Sequence, residues 1–374
     1  MRFCWTKSGE KAGLSGLFAT EYFPTGKNME GIVMTKRVVF IVCLLSLVIA
    51  SVYGAAAAPS AFKKAQADII GKMGEIPKPS RAYRIGALEI TLANPFWVTM
   101  KDGYVAAAKD FGFKVDVLAA PSESDTAGQL NFLETMVDKK YDALCVSPIT
   151  PFNLIPGVEK ATRKNVPVIC VGTWLDEEAA KEAGAKVEAL YSSDFEGQGY
   201  LGAKYIVDQL KKVGGGKVAI IEGLPGASQG EARKAGALKA FKESSAIKVV
   251  STQPGNWDRN TALNITTNLI QAHPDLKGIF CANDTMALAA VEALKAVGKK
   301  AQVIVVGVDY IPEANASMKA KELDASVAQS PYLFGYVGAV AALKSLENSP
   351  LPKGISIPIA LVSQSNLDQY NDWK

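Results

Sequence analysis

From residue 80 onward, short uninterrupted apolar runs alternate with longer stretches whose apolar positions recur at helical spacing. The runs at Arg84–Ile90, Val115–Leu118, Ala143–Val146, Val166–Val171, Lys217–Ile221, Val249–Thr252, Gly278–Ala282, Val303–Val308 and Ala325–Ala328 predict buried strands, with a weaker strand at Ala189–Tyr191. The stretches between them predict helices, among them Pro95–Phe111, Asp258–Ala272 and Asp284–Val297. Asn94 before Pro95 predicts a capped helix start. An asparagine side chain accepts a bond from an otherwise free N–H, and proline at the first helical position gives up no bond. Strands apolar throughout, alternating with helices, make parallel sheets covered on both faces. Nine of them are too many for one ordinary sheet, so the expected fold class is α/β, with two doubly wound parallel-sheet domains. Ser192–Gly199 predicts the crossover between them.

The first part of the chain follows another pattern. Met34-Thr-Lys-Arg37 precedes the apolar run Val38–Ala50, and small residues continue to Ala58. A short basic segment, an apolar core and a small-residue end form a secretory signal peptide. The uncharged run Val38–Ala58 is also just long enough to be a membrane anchor. Its Ala- and Gly-rich end favours cleavage near Ala55–Ala58, with Met34 as the natural start. Cys43 lies in the middle of the run rather than after a small-residue pair, which does not indicate lipid attachment. The expected destination is the periplasm, and a polar spacer is expected at 58–80.

Composition narrows the function. The chain of 374 residues is 48% hydrophobic and 21% charged, ordinary for a globular protein. Residues 1–57 hold six basic and three acidic side chains, most of the net charge of +4. The remainder is almost neutral and offers no basic face for a nucleic acid. The single histidine argues against a His-based metal site or a catalytic triad. Cys145, Cys170 and Cys281 each sit in an apolar run and read as buried thiols. The phosphate-loop pattern Gly-x-x-x-x-Gly-Lys-Ser/Thr is absent, and Gly214–Gly216 precedes a strand rather than following one. No metal, cofactor or catalytic residue is expected.

In open parallel sheets, ligands bind beyond the carboxyl ends of the strands. Those positions here carry Asn94-Pro-Phe96-Trp97, the Glu222–Arg233 segment, Trp257-Asp258-Arg259, Asn283-Asp284, Asp309-Tyr310 and Gln329. Amides offer both donors and acceptors, Arg and Asp make stronger charge-assisted bonds, and aromatic rings supply flat apolar surface. That mixture suits a polyhydroxylated ring. Taken singly, each residue also has a structural reading: Asn94, Asn283 and Asp284 as helix caps, Trp97 and Trp257 as core, and Arg233 as a solvated helix charge.

Together these residues carry a resemblance. From Arg84 to Val362 the chain resembles the periplasmic sugar-binding proteins of the ribose and D-allose type, and most resembles their D-allose-binding members. The matching stretches include Asn94-Pro-Phe-Trp97, Ala120-Pro-Ser-Glu-Ser-Asp125, Gly230-Glu-Ala-Arg233, Trp257-Asp-Arg259, Cys281-Ala-Asn-Asp-Thr-Met-Ala287 and Val327-Ala-Gln329. The resemblance implies two α/β lobes joined by a three-strand hinge, with a sugar in the cleft. Residues 82–192 plus 330–357 would form the N-terminal lobe, and 193–329 plus 358–374 the C-terminal lobe. It implies a monomer with no enzymatic activity that delivers a monosaccharide or polyol to the membrane permease of an ABC importer. By the same resemblance Asn94, Phe96, Trp97, Arg233, Trp257, Asn283, Asp309 and Gln329 contact the ligand.

Two departures bear on which ligand. The family has a polar residue at the end of its first strand, a lysine in the allose binders, where this chain has Ile90. The aspartate after the fourth strand is replaced by Gly172-Thr173, with Trp174 offering apolar contact instead. Ile90 and Trp174 therefore join the candidate ligand-binding residues. Two alternatives share this body: a ligand-sensing partner of a membrane receptor or sensor kinase, and a LacI-type sugar-responsive regulator. The regulator would need a DNA-binding helix pair where this chain has an export signal.

Overall fold

The computed structural model describes residues 59–374, and the upstream segment and signal peptide read at 1–57 lie outside the described residues. Two six-stranded sheets organise the described chain. The first contains β1 (Arg84–Thr91), β2 (Lys114–Ala120), β3 (Ala143–Val146), β4 (Val168–Val171), β5 (Ala189–Ser192) and β11 (Gly354–Ser356), in the order β11-β5-β4-β3-β1-β2. All its pairings are parallel. The second contains β6 (Gly216–Glu222), β7 (Ile247–Pro254), β8 (Leu276–Cys281), β9 (Ile304–Asp309), β10 (Ala325–Ala328) and β12 (Ala360–Ser363), in the order β12-β10-β9-β8-β6-β7. It is parallel except where β12 runs antiparallel along β10.

Each strand predicted from the apolar runs is present, and β3, β4 and β10 are buried along their whole length. The short edge strands β11 and β12 carry no comparable pattern and were not expected. Cys145, Cys170 and Cys281 are buried in β3, β4 and β8 as free thiols. Burial raises all three pKa values, that of Cys170 to about 12. Among the described residues no helix is long and apolar enough to cross a membrane.

The α-helices of the described chain are α1 (Ala61–Met73), α2 (Pro95–Phe111), α3 (Thr126–Asp138), α4 (Ile155–Arg163), α5 (Glu177–Glu182), α6 (Phe195–Lys211), α7 (Ser228–Lys242), α8 (Arg259–Ala272), α9 (Asp284–Ala296), α10 (Pro312–Lys319) and α11 (Pro331–Leu346). An Asn or Asp caps most of those that start at the carboxyl end of a strand. Asn94 Oδ1 accepts from Phe96 N at 3.0 Å, Asp258 Oδ1 from Thr261 N at 2.7 Å, and Asn283 Oδ1 from Met286 N at 2.9 Å. Each cap satisfies a backbone donor that the helix itself cannot.

The segment expected as a polar spacer is corrected: it contains α1. Phe62, Ile69 and Met73 of α1 are buried. Phe62 meets Tyr332 and Trp373 edge-on, with ring centroids 5.8 and 6.3 Å apart. The lysines of α1 obscure this narrow apolar stripe in the sequence, and only the packing partners reveal it.

The chain passes between the sheets at three places: Ser192 to Phe195, Ala328 to Pro331, and Ser356 to Ala360. The first is the crossover predicted within Ser192–Gly199. Helices α6 and α7 cross closely at glycines. A Cβ on Gly199 would stand 1.9 Å from the Arg233 carbonyl, and one on Gly236 1.9 Å from that of Glu196. This close approach sets the spacing between Gln198 and Arg233.

Candidate ligand-binding site

A cavity lies at the carboxyl ends of the strands of both sheets. From the first sheet and its helices come Asn94, Phe96 and Trp97 at the start of α2, Glu123 after β2, Gly172 and Thr173 after β4, and Phe334 on α11. From the second come Phe195 at the start of α6, Gln229 and Arg233 on α7, Trp257 after β7, Asn283 after β8, Asp309 at the end of β9, and Gln329 after β10. The structure thus gathers the eight main candidates from sequence around one cavity.

The two further candidates are placed elsewhere. Ile90 does not line the cavity. The pairing of β1 with β2 shifts register between Glu89 and Thr91, and Ile90 is packed in the core at 1% exposure. Trp174 is half-buried and stacks on Phe195, centroids 5.3 Å apart at 16°. It backs the aromatic wall rather than forming its inner face.

Arg233, for which the sequence taken singly also allows a solvated charge, is 3% exposed. It anchors a closed polar network. Its Nε donates to Gln198 Oε1 at 2.7 Å, Nη1 to the Ala282 carbonyl at 2.7 Å, and Nη2 to Asp309 Oδ1 at 3.2 Å. Gln329 Nε2 donates to the same Asp309 oxygen at 2.7 Å, and Gln198 Nε2 donates to Gln329 Oε1 at 2.9 Å. Burial raises the Asp309 pKa, while Arg233 and Gln329 act against that shift. Burial likewise lowers that of Arg233, which Asp309 and Asp284 oppose. A guanidinium remains charged throughout the physiological range, so the pair is ionic. The Arg233 side chain also lies over the rings of Phe195 and Trp257, 5.5 and 5.9 Å from their centroids.

Backbone strain concentrates here. Asn256 and Trp257 have φ of 55° and 62°, and Asp309 and Tyr310 have 109° and 58°. Side-chain-bearing residues at such angles cost on the order of 1–3 kcal/mol each, and such outliers gather at ligand sites. Asp284 supports the second of these turns. It accepts from Ser326 Oγ at 2.7 Å and from Ile311 N at 3.0 Å, while Tyr310 N donates to Ser326 Oγ at 3.0 Å. Gly172, with φ of +79°, makes a turn that glycine adopts without strain. A Cβ there would stand 3.2 Å from Met100 Cε.

The wall on the first-sheet side is sparser. Phe96 and Trp97 meet edge-on at 4.9 Å. Asn94 Nδ2 donates to Glu123 Oε1 at 3.1 Å. Glu123 keeps some exposed surface yet lies deep among cleft atoms. Burial pushes its carboxyl up to about 7, against the hydrogen bond from Asn94. The Thr173 hydroxyl is committed to the Pro148 carbonyl at 2.8 Å.

Glu123, Phe195, Gln229 and Phe334 were missed as site residues. Glu123 stands three residues past the end of β2, so reading that strand end like the others would have found it. Phe195, Gln229 and Phe334 lie in helices, and their sequence surroundings do not show which face meets the cavity. Among the described residues no cluster of His, Cys, Asp and Glu could hold a metal ion.

Known proteins share this architecture. The model of the family described as "Periplasmic binding protein domain" matches residues 87–350. The D-allose-binding periplasmic protein of Escherichia coli (strain K12) is 43% identical over 266 residues, which is 70% of this chain and 85% of that protein. The ribose import binding protein of Bacillus subtilis (strain 168) is 36% identical over 292 residues, 77% of this chain and 91% of that one. In the crystal structure of an ABC transporter periplasmic solute binding protein from Actinobacillus succinogenes 130z with bound D-allose, 35% identity accompanies a TM-score of 0.73. That match covers 77% of this chain and 100% of the other. With two linked parallel sheets, a cavity at their carboxyl edges and these relatives, the chain belongs to the periplasmic binding proteins of the ribose and D-allose type.

Proposed function

We propose that this protein captures a monosaccharide or related polyol between its two sheets and delivers it to an ABC-type sugar importer. The observation that carries the reading is the cavity wall itself. A buried Arg233–Asp309–Gln329–Gln198 network faces aromatic rings, the pairing of directional hydrogen bonds with flat apolar surface that a sugar requires. The eight cavity residues Asn94, Phe96, Trp97, Arg233, Trp257, Asn283, Asp309 and Gln329 would make the contacts, joined by Glu123 and Gln229. The protein would act without catalysis and as a monomer, exported to the periplasm by the signal at its N-terminus, with the membrane permease as its partner.

The lobes would be residues 82–192 plus 330–357 and residues 193–329 plus 358–374, with the three crossings between the sheets acting as the hinge. Ile90 and Gly172-Thr173 leave no free polar side chain where the allose binders have theirs. We expect D-allose to bind more weakly than a pentose, deoxy sugar, smaller polyol or modified sugar, because an unsatisfied hydroxyl costs about 1–3 kcal/mol.

A thermal-shift panel of aldoses, ketoses and polyols tests the reading. A ligand bound only to the folded protein at about a hundred times its Kd stabilises it by about 2.7 kcal/mol. Selective stabilisation by one or a few of them is expected. A flat panel, or turnover of a sugar, would sink the proposal, and submicromolar D-allose binding would overturn the ligand preference.

A further inference from the structure

Two segments from opposite ends of the described chain meet beside the middle crossing between the sheets. One is α1. The other is the tail after β12, which holds a short helix at Leu367–Tyr370 and then Trp373. Neither lies within residues 87–350, the segment that the family model matches.

The tail belongs to the second sheet. It continues from β12, and Leu367 is buried in the core. Tyr370 meets Tyr310, next to Asp309, with ring centroids 6.3 Å apart. The tail also holds the crossing at 328–331, where Trp373 Nε1 donates to the Gln329 carbonyl at 2.9 Å. The side chain of that same Gln329 belongs to the cavity network.

Helix α1 ties this tail to the first sheet. Ser60, its N-cap, donates from Oγ to Asp372 Oδ2 at 2.5 Å, and Phe62 packs edge-on against Trp373. Phe62 also meets Tyr332 at the start of α11, the helix that packs on β3, β4 and β5. The Lys374 ammonium lies 4.0 Å from the Tyr332 ring centroid and 5.5 Å from that of Phe62. Past the other end of α1, Lys344 of α11 donates from Nζ to the Glu75 carbonyl at 2.5 Å. Lys344 is 2% exposed, and a buried ammonium requires such an acceptor. The helix is therefore fastened to the second sheet's tail at its start and to α11 beyond its end.

These contacts belong to the arrangement in which both walls line one cavity. Bending at the three crossings would turn the tail against α11, and α1 cannot follow both. Either Phe62 leaves Trp373 or the helix slides on α11, and buried apolar contact is lost in each case. Contacts that only one arrangement can make shift the population toward it.

We propose that α1 is a strap across the middle crossing, which resists separation of the two cavity walls and raises ligand affinity by keeping the binding-competent arrangement populated. The inference rests on the reading of the three crossings as a hinge.

Small-angle scattering of the purified, ligand-free protein tests it first. Phe62→Ala in the full chain should shift the particle to a larger radius of gyration. In calorimetry with D-ribose and with D-allose, affinity for a sugar that binds should fall about tenfold, because apparent affinity scales with the competent fraction. The cavity residues are untouched in this variant. A helix that only added stability would lower the melting temperature and leave both readings alone. Trp373→Phe keeps an aromatic ring but loses the bond to the Gln329 carbonyl, and should move both readings in the same direction by less. An unchanged radius, or an unchanged affinity for a sugar that binds, overturns the strap, and the hinge reading stands without it where a sugar still compacts both proteins. Should neither sugar bind, the ligand-free radii alone decide. If no sugar of the panel that binds compacts the unaltered protein, the hinge reading fails and takes this inference with it.

Discussion

On the side of the cleft built by α6, α7, β9 and β10, the side chains of Gln198, Arg233, Asp309 and Gln329 satisfy one another before any ligand arrives. All four are at most 6% exposed. On the side built by α2, the β2–α3 loop and β4, the polar groups are Asn94 and Glu123, both only part-buried, with Thr173 turned to a backbone carbonyl. The first side holds its geometry because each group is fixed by two neighbours, so little ordering is left to be done on binding. The second side leaves a carboxyl without a cation. On the proposed function the two sides would have separate work: one would supply affinity to any suitably shaped polyol, and the other would decide which polyol is kept.

Breaking the rigid side should have the largest effect. Asp309→Ala leaves the Arg233 guanidinium buried without its counter-ion, which typically costs about 3–5 kcal/mol of stability. Chemical denaturation measures it. A loss below about 1 kcal/mol would mean that water reaches the site and that the network is less sealed than its burial indicates.

The next effect compares the two sides directly. Arg233→Ala should weaken ligand binding by about 2–4 kcal/mol in calorimetry. Asn94→Ala removes one hydrogen-bonding side chain and a helix cap, worth about 1 kcal/mol each. Equal losses of affinity would erase the distinction between the walls.

Glu123 should give the chain a pH dependence of its own. Its folded pKa of about 7 stands above the ordinary value of 4.5. Its contribution to stability is therefore fully present below about pH 4.5 and is lost as pH rises through about 7. The expected span is at most about 3.5 kcal/mol, at about 1.4 kcal/mol per pKa unit, and less where solvent screens the part-exposed carboxyl. Denaturation curves of Glu123→Gln across that window should be flatter than those of the unaltered protein. Parallel curves would place the glutamate in water.

The smallest expected change is in shape. If the two sides close on the ligand by bending at the three crossings, small-angle scattering should show a slightly more compact particle with ligand bound. Identical profiles would mean that the walls are already in place and that the comparison describes one rigid site.

Much of this was legible in the chain because its rules are local. A run such as Ala143–Val146 declares a strand buried on both faces, and Asn94-Pro95 declares a helix start. Residues directly after strands lie at the ligand-binding edge of a parallel sheet, which is why, Arg233 aside, the main candidates could be read from position. Arg233 was read both from the segment after β6 and from its resemblance to a known motif, although it stands within α7 rather than directly after a strand.

The rest depended on contacts between distant parts of the chain. The amphipathic stripe of α1 acquires meaning from Tyr332 and Trp373, which lie at the other end of the sequence. Ile90 leaves the cavity wall because β1 and β2 slip register beside it. Phe195, Gln229 and Phe334 reach the cavity through the angles at which their helices pack. The positive φ values at Trp257 and Asp309 persist because surrounding contacts over-determine them, with Asp284 and Ser326 bracing the turn after Asp309. The sequence by itself determined the two sheets, their helices and most of the cavity's chemistry, since hydrophobic period and capping act over a few residues. Only the tertiary structure decided which groups are paired, buried or left over, because burial and charge compensation are properties of neighbours that the chain brings together from far apart.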